Sequence, residues 1–331
     1  MLLEFDSDQR LWQDTAREVL ARHCPAALIR DIADRGADAA PLWKVYGDQG
    51  WTSLTDPGDM VELTILLEEL GRATDPTPYL ATMTHYAPLA GDPDPATAGT
   101  AVFDGISAHR DGATWILNGT AQVLDGDRAE RVAVATPAGV FVLPADRVAA
   151  RRITVFDPLL HVAQVTLEQV RVDAGDRLDR DVRHAREVAL TGLAATMVGA
   201  CQRVLDLVVE HVGVRRQFGK PIGAFQAVAH KAADMHVAVQ RARALTYWAA
   251  LTVAAGDPRR HLAAVMAKAA AGECQAVVFR HGLQLFGAMG YTWENDVQFA
   301  LKRAKAGELL LGGADEHRAT IAREYRAAEL R

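Results

Sequence analysis

The chain has 331 residues, 50% of them hydrophobic and 24% charged, with a formal net charge of -6. That length supports two or three domains with real cores, and the composition is that of an ordinary globular chain. A mildly acidic chain is a poor partner for nucleic acid, and that class is excluded.

The start, Met1-Leu2-Leu3-Glu4-Phe5-Asp6, has no basic segment and no apolar core of signal-peptide length, so a cytoplasmic chain is expected. Residues 1–92 read as an N-terminal helical domain. Ser7 is expected to cap a helix carrying Leu11, Trp12, Ala16, Val19 and Leu20 at helical spacing. A second helical run, VELTILLEELGRA, ends near Pro76 and Pro78, which discourage its continuation.

Residues 93–180 read as a middle β-domain. The turn-rich GDPDPATAG leads into short runs that alternate apolar and polar residues, among them AVFDG, ATWILNGTAQVL, RVAVATP, GVFVLP and VAQVTLEQVRV. Asn118-Gly119 is a strong hairpin signal. A small sandwich or barrel is expected.

Residues 181–331 read as a helical bundle. Helices are expected at about 186–214, 224–255, 259–287 and 314–329, and their length and short turns suggest an up-and-down four-helix bundle. The most apolar stretch, Leu245 to Ala255, is about half the length that a membrane span needs, and it reads as a core helix. Cys24, Cys201 and Cys274 match no metal or redox spacing. Each sits in an apolar helical run and reads as a small buried hydrophobe in a reducing compartment.

Two segments carry a family resemblance. RRQFGKPIGAFQAVAHKAADM, residues 215–235, and QLFGAMGYTWENDVQFALKRAK, residues 284–305, are similar to two motifs of the acyl-CoA dehydrogenase family. Weaker echoes in family order are EELGRA at 68–73, WILNGTAQVLDG at 115–126 and GADEHRATIARE at 313–324. The resemblance implies a mostly α fold with a central β-domain: an N-terminal helical domain, a small β-sandwich or barrel and a C-terminal four-helix bundle. It also implies FAD, an acyl-CoA substrate and at least a dimer.

The residue chemistry agrees. Arg215 offers a planar, permanently charged fork that suits a pyrophosphate. Gly219 beside a helix start allows close backbone approach, and a helix N-terminus favours anions. Phe218 offers a flat apolar face. The resemblance assigns the adenine and pyrophosphate end of FAD to Arg215, Gln217, Phe218 and Gln226. It has Gln284, Gly287 and their surroundings in a neighbouring subunit complete that site.

The family reaction needs a carboxylate to remove the proton α to the thioester carbonyl. By the resemblance, its usual place falls on Leu311, which cannot accept a proton. The alternative place, on the first helix of the bundle, falls on Ala189. Glu187 lies about 200° around that helix and reads as a solvated glutamate; Glu308, Asp315 and Glu316 are the other nearby acids. No catalytic residue and no metal site is assigned. The family's flavin-ring contacts are altered as well. Val123-Leu124-Asp125 replaces an aromatic and a hydroxyl, Gly312-Gly313 lacks a threonine, Ala288 replaces a glycine, and no Thr-Glu-Pro segment is found.

This pattern resembles the short subunits of actinobacterial heteromeric (steroid-type) acyl-CoA dehydrogenases, which pair with a longer homologue as α2β2. Three readings stand at this point: a non-catalytic partner subunit, a self-sufficient homomeric dehydrogenase with a displaced glutamate, and a scaffold without redox function.

Overall fold

Asp6, and not Ser7, caps the first helix. Its carboxylate accepts from the amides of Asp8 and Gln9, and the Gln9 side chain reaches back to the Asp6 amide, a reciprocal capping box. A carboxylate one residue upstream outcompetes the serine because it carries full charge at the positive end of the helix dipole. The computed structural model describes residues 4–91 and 93–329. Met1, Leu2 and Leu3 of the expected leader-free start, and Asp92 of the linker, lie outside them.

The helices are α1 (Ser7–His23), α2 (Ala26–Arg35), α3 (Ala40–Asp48), α4 (Met60–Ala73), α5 (Ala87–Ala90), α6 (Val182–Val214), α7 (Gln226–Ala254), α8 (Arg260–Phe286), α9 (Val297–Leu309) and α10 (Ala314–Glu329). The strands are β1 (Gly99–Val102), β2 (Ile106–Asp111), β3 (Thr114–Leu124), β4 (Arg131–Thr136), β5 (Gly139–Pro144), β6 (Ala149–Ile153), β7 (Val162–Asp173), β8 (Arg177–Leu178), β9 (Arg216–Gln217) and β10 (Lys220–Pro221). The order is helical, then β, then helical, as expected. The helix Val297–Leu309 is not among those expected.

The chain divides into two compact units, one of residues up to 37, 57–75 and from 190 on, the other of 38–56 and 76–189. The first is a helical bundle. Its core is built from small residues at helical spacing: Val198, Cys201, Val204 and Val208 on α6, Ala263, Ala267, Ala270 and Cys274 on α8, with Met235 and Val239 from α7 and Ala300, Leu301 and Ala304 from α9. Small side chains let the helix axes approach closely. At the crossing of α4 and α6 the approach is closest: a Cβ on Gly199 would stand 1.8 Å from the Glu68 carbonyl oxygen, and one on Gly71 would stand 2.2 Å from that of Thr196.

The adjacent acids Glu68 and Glu69 of α4 are buried in this unit and are fully engaged. Glu69 takes a paired bond from Arg17 of α1, and Glu68 binds Arg243 and the Tyr247 hydroxyl of α7. All three cysteines are unpaired and buried. Two helical stretches, Val182–Val214 and Arg260–Tyr291, are long and apolar enough to cross a membrane, rather than the Leu245–Ala255 run. Their most apolar windows are 89% and 67% buried within the chain itself, so core packing accounts for their hydropathy.

The second unit is a β-sandwich. One sheet has the order β1-β4-β5-β8 and the other β2-β3-β7-β6. Alternate residues of both sheets meet in one core, including Val102, Val134 and Phe141 from the first and Leu117, Val165 and Val172 from the second. Asn118-Gly119 is not a hairpin turn. It lies inside β3, where the register against β7 shifts between Leu117 and Gly119. Gly119 (φ 144°) packs so closely that a Cβ would stand 2.1 Å from the Gly105 carbonyl oxygen, and the Asn118 side chain accepts from the amide and side chain of Gln169. The tight turn between β2 and β3 falls instead at Gly112-Ala113.

Candidate functional site

The residues singled out at 215–226 sit on a small projection between α6 and α7. The chain leaves α6 at Val214 and makes a two-residue hairpin, Gln217 pairing with Lys220 and Arg216 with Pro221. Phe218 and Gly219 both take positive φ (53° and 79°), the backbone of a primed hairpin turn. The Ile222 amide donates to the Arg215 carbonyl at 2.8 Å and ties the base of the projection.

Arg215, Gln217, Phe218 and Gln226 are all exposed, Phe218 to 90%. Its ring meets Phe225 edge-on, and the Lys220 ammonium lies 4.3 Å from the centre of the Phe225 ring. Among the described residues no acidic side chain pairs with Arg215, Arg216 or Lys220. Gln226 is the first residue of α7, and Phe225 before it offers no side-chain cap. Three unpaired cations and an uncapped helix start thus face solvent together, a fit for a pyrophosphate.

Gln284 and Gly287 are exposed at the other end of the pattern, where α8 stops. Gly287 ends the helix with φ 60° and ψ -141°, a backbone open essentially to glycine alone. Between them, Leu285 and Phe286 enter the same core cluster as Val212 and Ile222. The Phe286 ring stacks on His211 at 4.7 Å, and burial together with nearby Arg215 pushes the His211 pKa down. One chain therefore carries both sets of residues at the same end of its bundle. Around them Val214, Met289 and Tyr291 expose 72%, 53% and 76% of their surface.

Leu311 lies in the turn between α9 and α10 with φ 53°, followed by Gly312 at φ 95°. A β-unbranched apolar residue in left-handed backbone is uncommon, and it persists because its surroundings hold it. Leu311 packs against a cluster formed by Leu190, Ala264 and Val265, and Leu190 directly follows Ala189 on α6. Lys268 of α8, fully buried, donates to the carbonyls of Glu308 at 3.2 Å and Gly312 at 2.8 Å. Burial pushes the Lys268 ammonium down to about 8. Sequence reasoning missed this lysine, since one Lys in an alanine-rich helix gives no signal.

The nearby acids are engaged or face water. Glu308 accepts from the Ala314 amide at 3.1 Å and from Lys305 at 3.0 Å. Burial works against its ionisation, but those partners outweigh it and hold its carboxyl below the usual range. Asp315 and Glu316 are exposed. Glu187 departs from expectation: it is 1% exposed rather than solvated, with Arg183 and His184 at 3.6 and 4.0 Å. The helical stretch around it is apolar on more than one face, so the two-residue offset from Ala189 does not bring it to water.

The β-domain element where the resemblance expects flavin-ring contacts holds an ionic turn instead. Asp125, buried with φ 57°, donates its amide to the His161 carbonyl at 2.8 Å and accepts from Arg128 at 2.7 Å. Arg128 also donates to the Pro76 carbonyl, and His161 bonds Asp127 at 2.9 Å. The polar groups of this turn satisfy one another, and they do not fit a flavin ring as the family's aromatic and hydroxyl would. Fit to FAD is therefore confined to the pyrophosphate end. Among the described residues no cluster could hold a metal ion.

Residues 187–325 match the acyl-CoA dehydrogenase C-terminal domain. The acyl-CoA dehydrogenase IpdE2 of Mycobacterium tuberculosis is 32% identical over 315 residues, covering 92% of this chain and 93% of that protein. The fold is that of the ChsE4-ChsE5 complex from Mycobacterium tuberculosis (TM-score 0.89, 24% identity, 98% of this chain and 99% of that one). It is also that of the Tcur3481-Tcur3483 steroid ACAD, at TM-score 0.87 and 24% identity, again over 98% and 99% of the two chains.

Proposed function

Because the chain belongs to the acyl-CoA dehydrogenase family, we propose that it is a short subunit without a catalytic base in a heteromeric, FAD-dependent acyl-CoA dehydrogenase. A longer homologue supplies the carboxylate, and the assembly is α2β2. The observation that carries this reading is Leu311. The turn keeps a left-handed residue followed by a glycine, pinned by Lys268, but the side chain it presents is apolar and packed. Leucine and alanine at 311 and 189 leave no proton acceptor at either place.

FAD, when bound, supplies the hydride acceptor. This chain's part is to bind and orient. Arg215 would hold the pyrophosphate, the start of α7 would add its dipole, and Gln284 and Gly287 would complete the corresponding site of a neighbouring subunit. The exposed Val214, Phe218, Met289 and Tyr291 give that end an apolar rim suited to a second subunit. The acyl-CoA substrate carries a bulky, polycyclic acyl group in this reading. The two-protein ChsE4-ChsE5 and Tcur3481-Tcur3483 structures support the heteromeric assembly, and the description of the second as a steroid ACAD supports the polycyclic acyl group. Three unpaired, buried cysteines suit a reducing cytoplasm.

A homomeric enzyme is the second reading, favoured by one observation: Glu187 is a buried carboxylate near the alternative base position. Anaerobic bleaching of the flavin band by an acyl-CoA separates the two. The isolated chain should not bleach. In the complex with its homologue, Glu→Gln changes at Glu187, Glu308 or Glu316 should alter turnover by less than about tenfold, below the loss of a true base. Robust bleaching by the isolated chain, abolished by Glu187→Gln, establishes the homomeric enzyme instead.

A further inference from the structure

A cavity of about 300 Å³ lies within the helical unit, walled by α1, α2, α4, α6 and α9. That is the lower end of the range of small-molecule sites, about 300–1,000 Å³. Leu20, Ile29, Leu207 and Phe299 supply an apolar wall. The charged residues around it are Arg17, Glu69, Arg72, Arg203 and Asp296.

All but one of those charges are matched. Glu69 takes Arg17 at 2.7 Å, and Arg72 takes Asp206 at 2.6 Å. Asp296 is held by Arg30 of α2. Arg203 is half-buried and, among the described residues, has neither a hydrogen bond nor an ion pair. A guanidinium withdrawn from bulk water without a partner is costly, and an anion that enters the cavity gains what the protein has left unmade.

We propose that this cavity binds a small amphipathic carboxylate, its head on the Arg203 guanidinium and its aliphatic body against Leu20, Ile29, Leu207 and Phe299. A single free fork matches one carboxylate edge to edge. A dianion such as phosphate is disfavoured because Glu69 and Asp296 stand in the same wall and no second cation is free. The apolar side chains select a ligand with a hydrocarbon body over a bare anion.

The probe is octanoate, titrated calorimetrically into the full chain, with octanol and inorganic phosphate as controls. Octanoate should bind more tightly than either control. Arg203→Met keeps an apolar stem and removes the charge, so octanoate affinity should fall roughly tenfold to a hundredfold while octanol is unaffected. Arg203→Lys should restore part of the loss. Thermal unfolding of the unliganded variants shows that the fold persists, because Arg203 has no partner whose loss would weaken it. Absence of octanoate binding to the wild type, equal binding by Arg203→Met, or phosphate binding as tight as octanoate would each overturn the proposal.

Discussion

The Lys268 ammonium donates to the Gly312 carbonyl oxygen at 2.8 Å, so a fully buried cation ties α8 to the turn that carries Leu311. The bond to Glu308 at 3.2 Å makes the tie two-pronged. An amine and two carbonyls that would otherwise be orphaned in the core hold one another in place.

That lysine makes stability depend on alkaline pH. Its pKa lies near 8 in the folded chain, against 10.5 when exposed. Between those values the unfolded chain binds more protons than the folded one, so this group's contribution to stability rises with pH across that window. Below about pH 8 the cost of burying the charge is present in full, on the order of 3 kcal/mol. Urea unfolding at pH 7.5, 9 and 10 should show the rise, and Lys268→Met should flatten it. An unchanged slope in the variant would place the titration elsewhere.

Replacing Gly199 with alanine should destabilise the bundle. In an exposed helix interior, Gly→Ala gains up to about 1 kcal/mol. Here the new methyl meets the Glu68 carbonyl at 1.8 Å, a backbone atom that cannot swing aside. Overpacking of this kind costs roughly 1–3 kcal/mol or more. The midpoint of urea unfolding is the measurement, and a variant as stable as the wild type would contradict the close crossing of α4 and α6.

Glu68→Ala should cost about 3 kcal/mol, because it leaves the half-buried Arg243 with the neutral Gln202 in place of a carboxylate, beside a tyrosine hydroxyl that has lost its acceptor. Glu68→Gln should cost less, since an amide still offers oxygen to Tyr247. Two variants of equal stability would mean that the amide oxygen and side-chain packing add nothing and that loss of the charge alone decides.

Arg215→Ala should lower the flavin-to-protein ratio of the assembled complex. Loss of a desolvated charge pair is worth roughly 2–5 kcal/mol. The fold should be untouched, as the side chain is exposed and, among the described residues, makes no ion pair. A ratio equal to wild type would make Arg215 an ordinary surface residue.

The helices and strands were legible where periodicity was uninterrupted. The alternation from Thr114 to Leu124 read as a strand at once, yet its Asn118-Gly119 pair misled, because the same dipeptide that favours a turn also fits a bulge with a close neighbouring backbone. The cap falls on Asp6 and not on the neighbouring Ser7, because both residue types favour that position and only the folded backbone selects between them. At the site, Arg215 to Gln226 form a local motif and were visible as such. Lys268, the Asp125–Arg128 pair and the burial of Glu187 were not, because each depends on partners or packing that only the folded chain assembles.

Cys201 and Cys274 face one another in the bundle core, with 0% and 2% of their surface exposed. Their contact and their burial push the Cys201 thiol well above its ordinary pKa, so neither thiolate nor access is available while the core is closed. The pair is thus a built-in clock for global opening. A thiol reagent in excess reads, through its rate of capture at Cys201 and Cys274 resolved by peptide mass spectrometry from capture at Cys24, how often this core opens, with no residue changed. Comparing that rate for the chain alone and the chain in complex measures how much kinetic protection a second subunit confers.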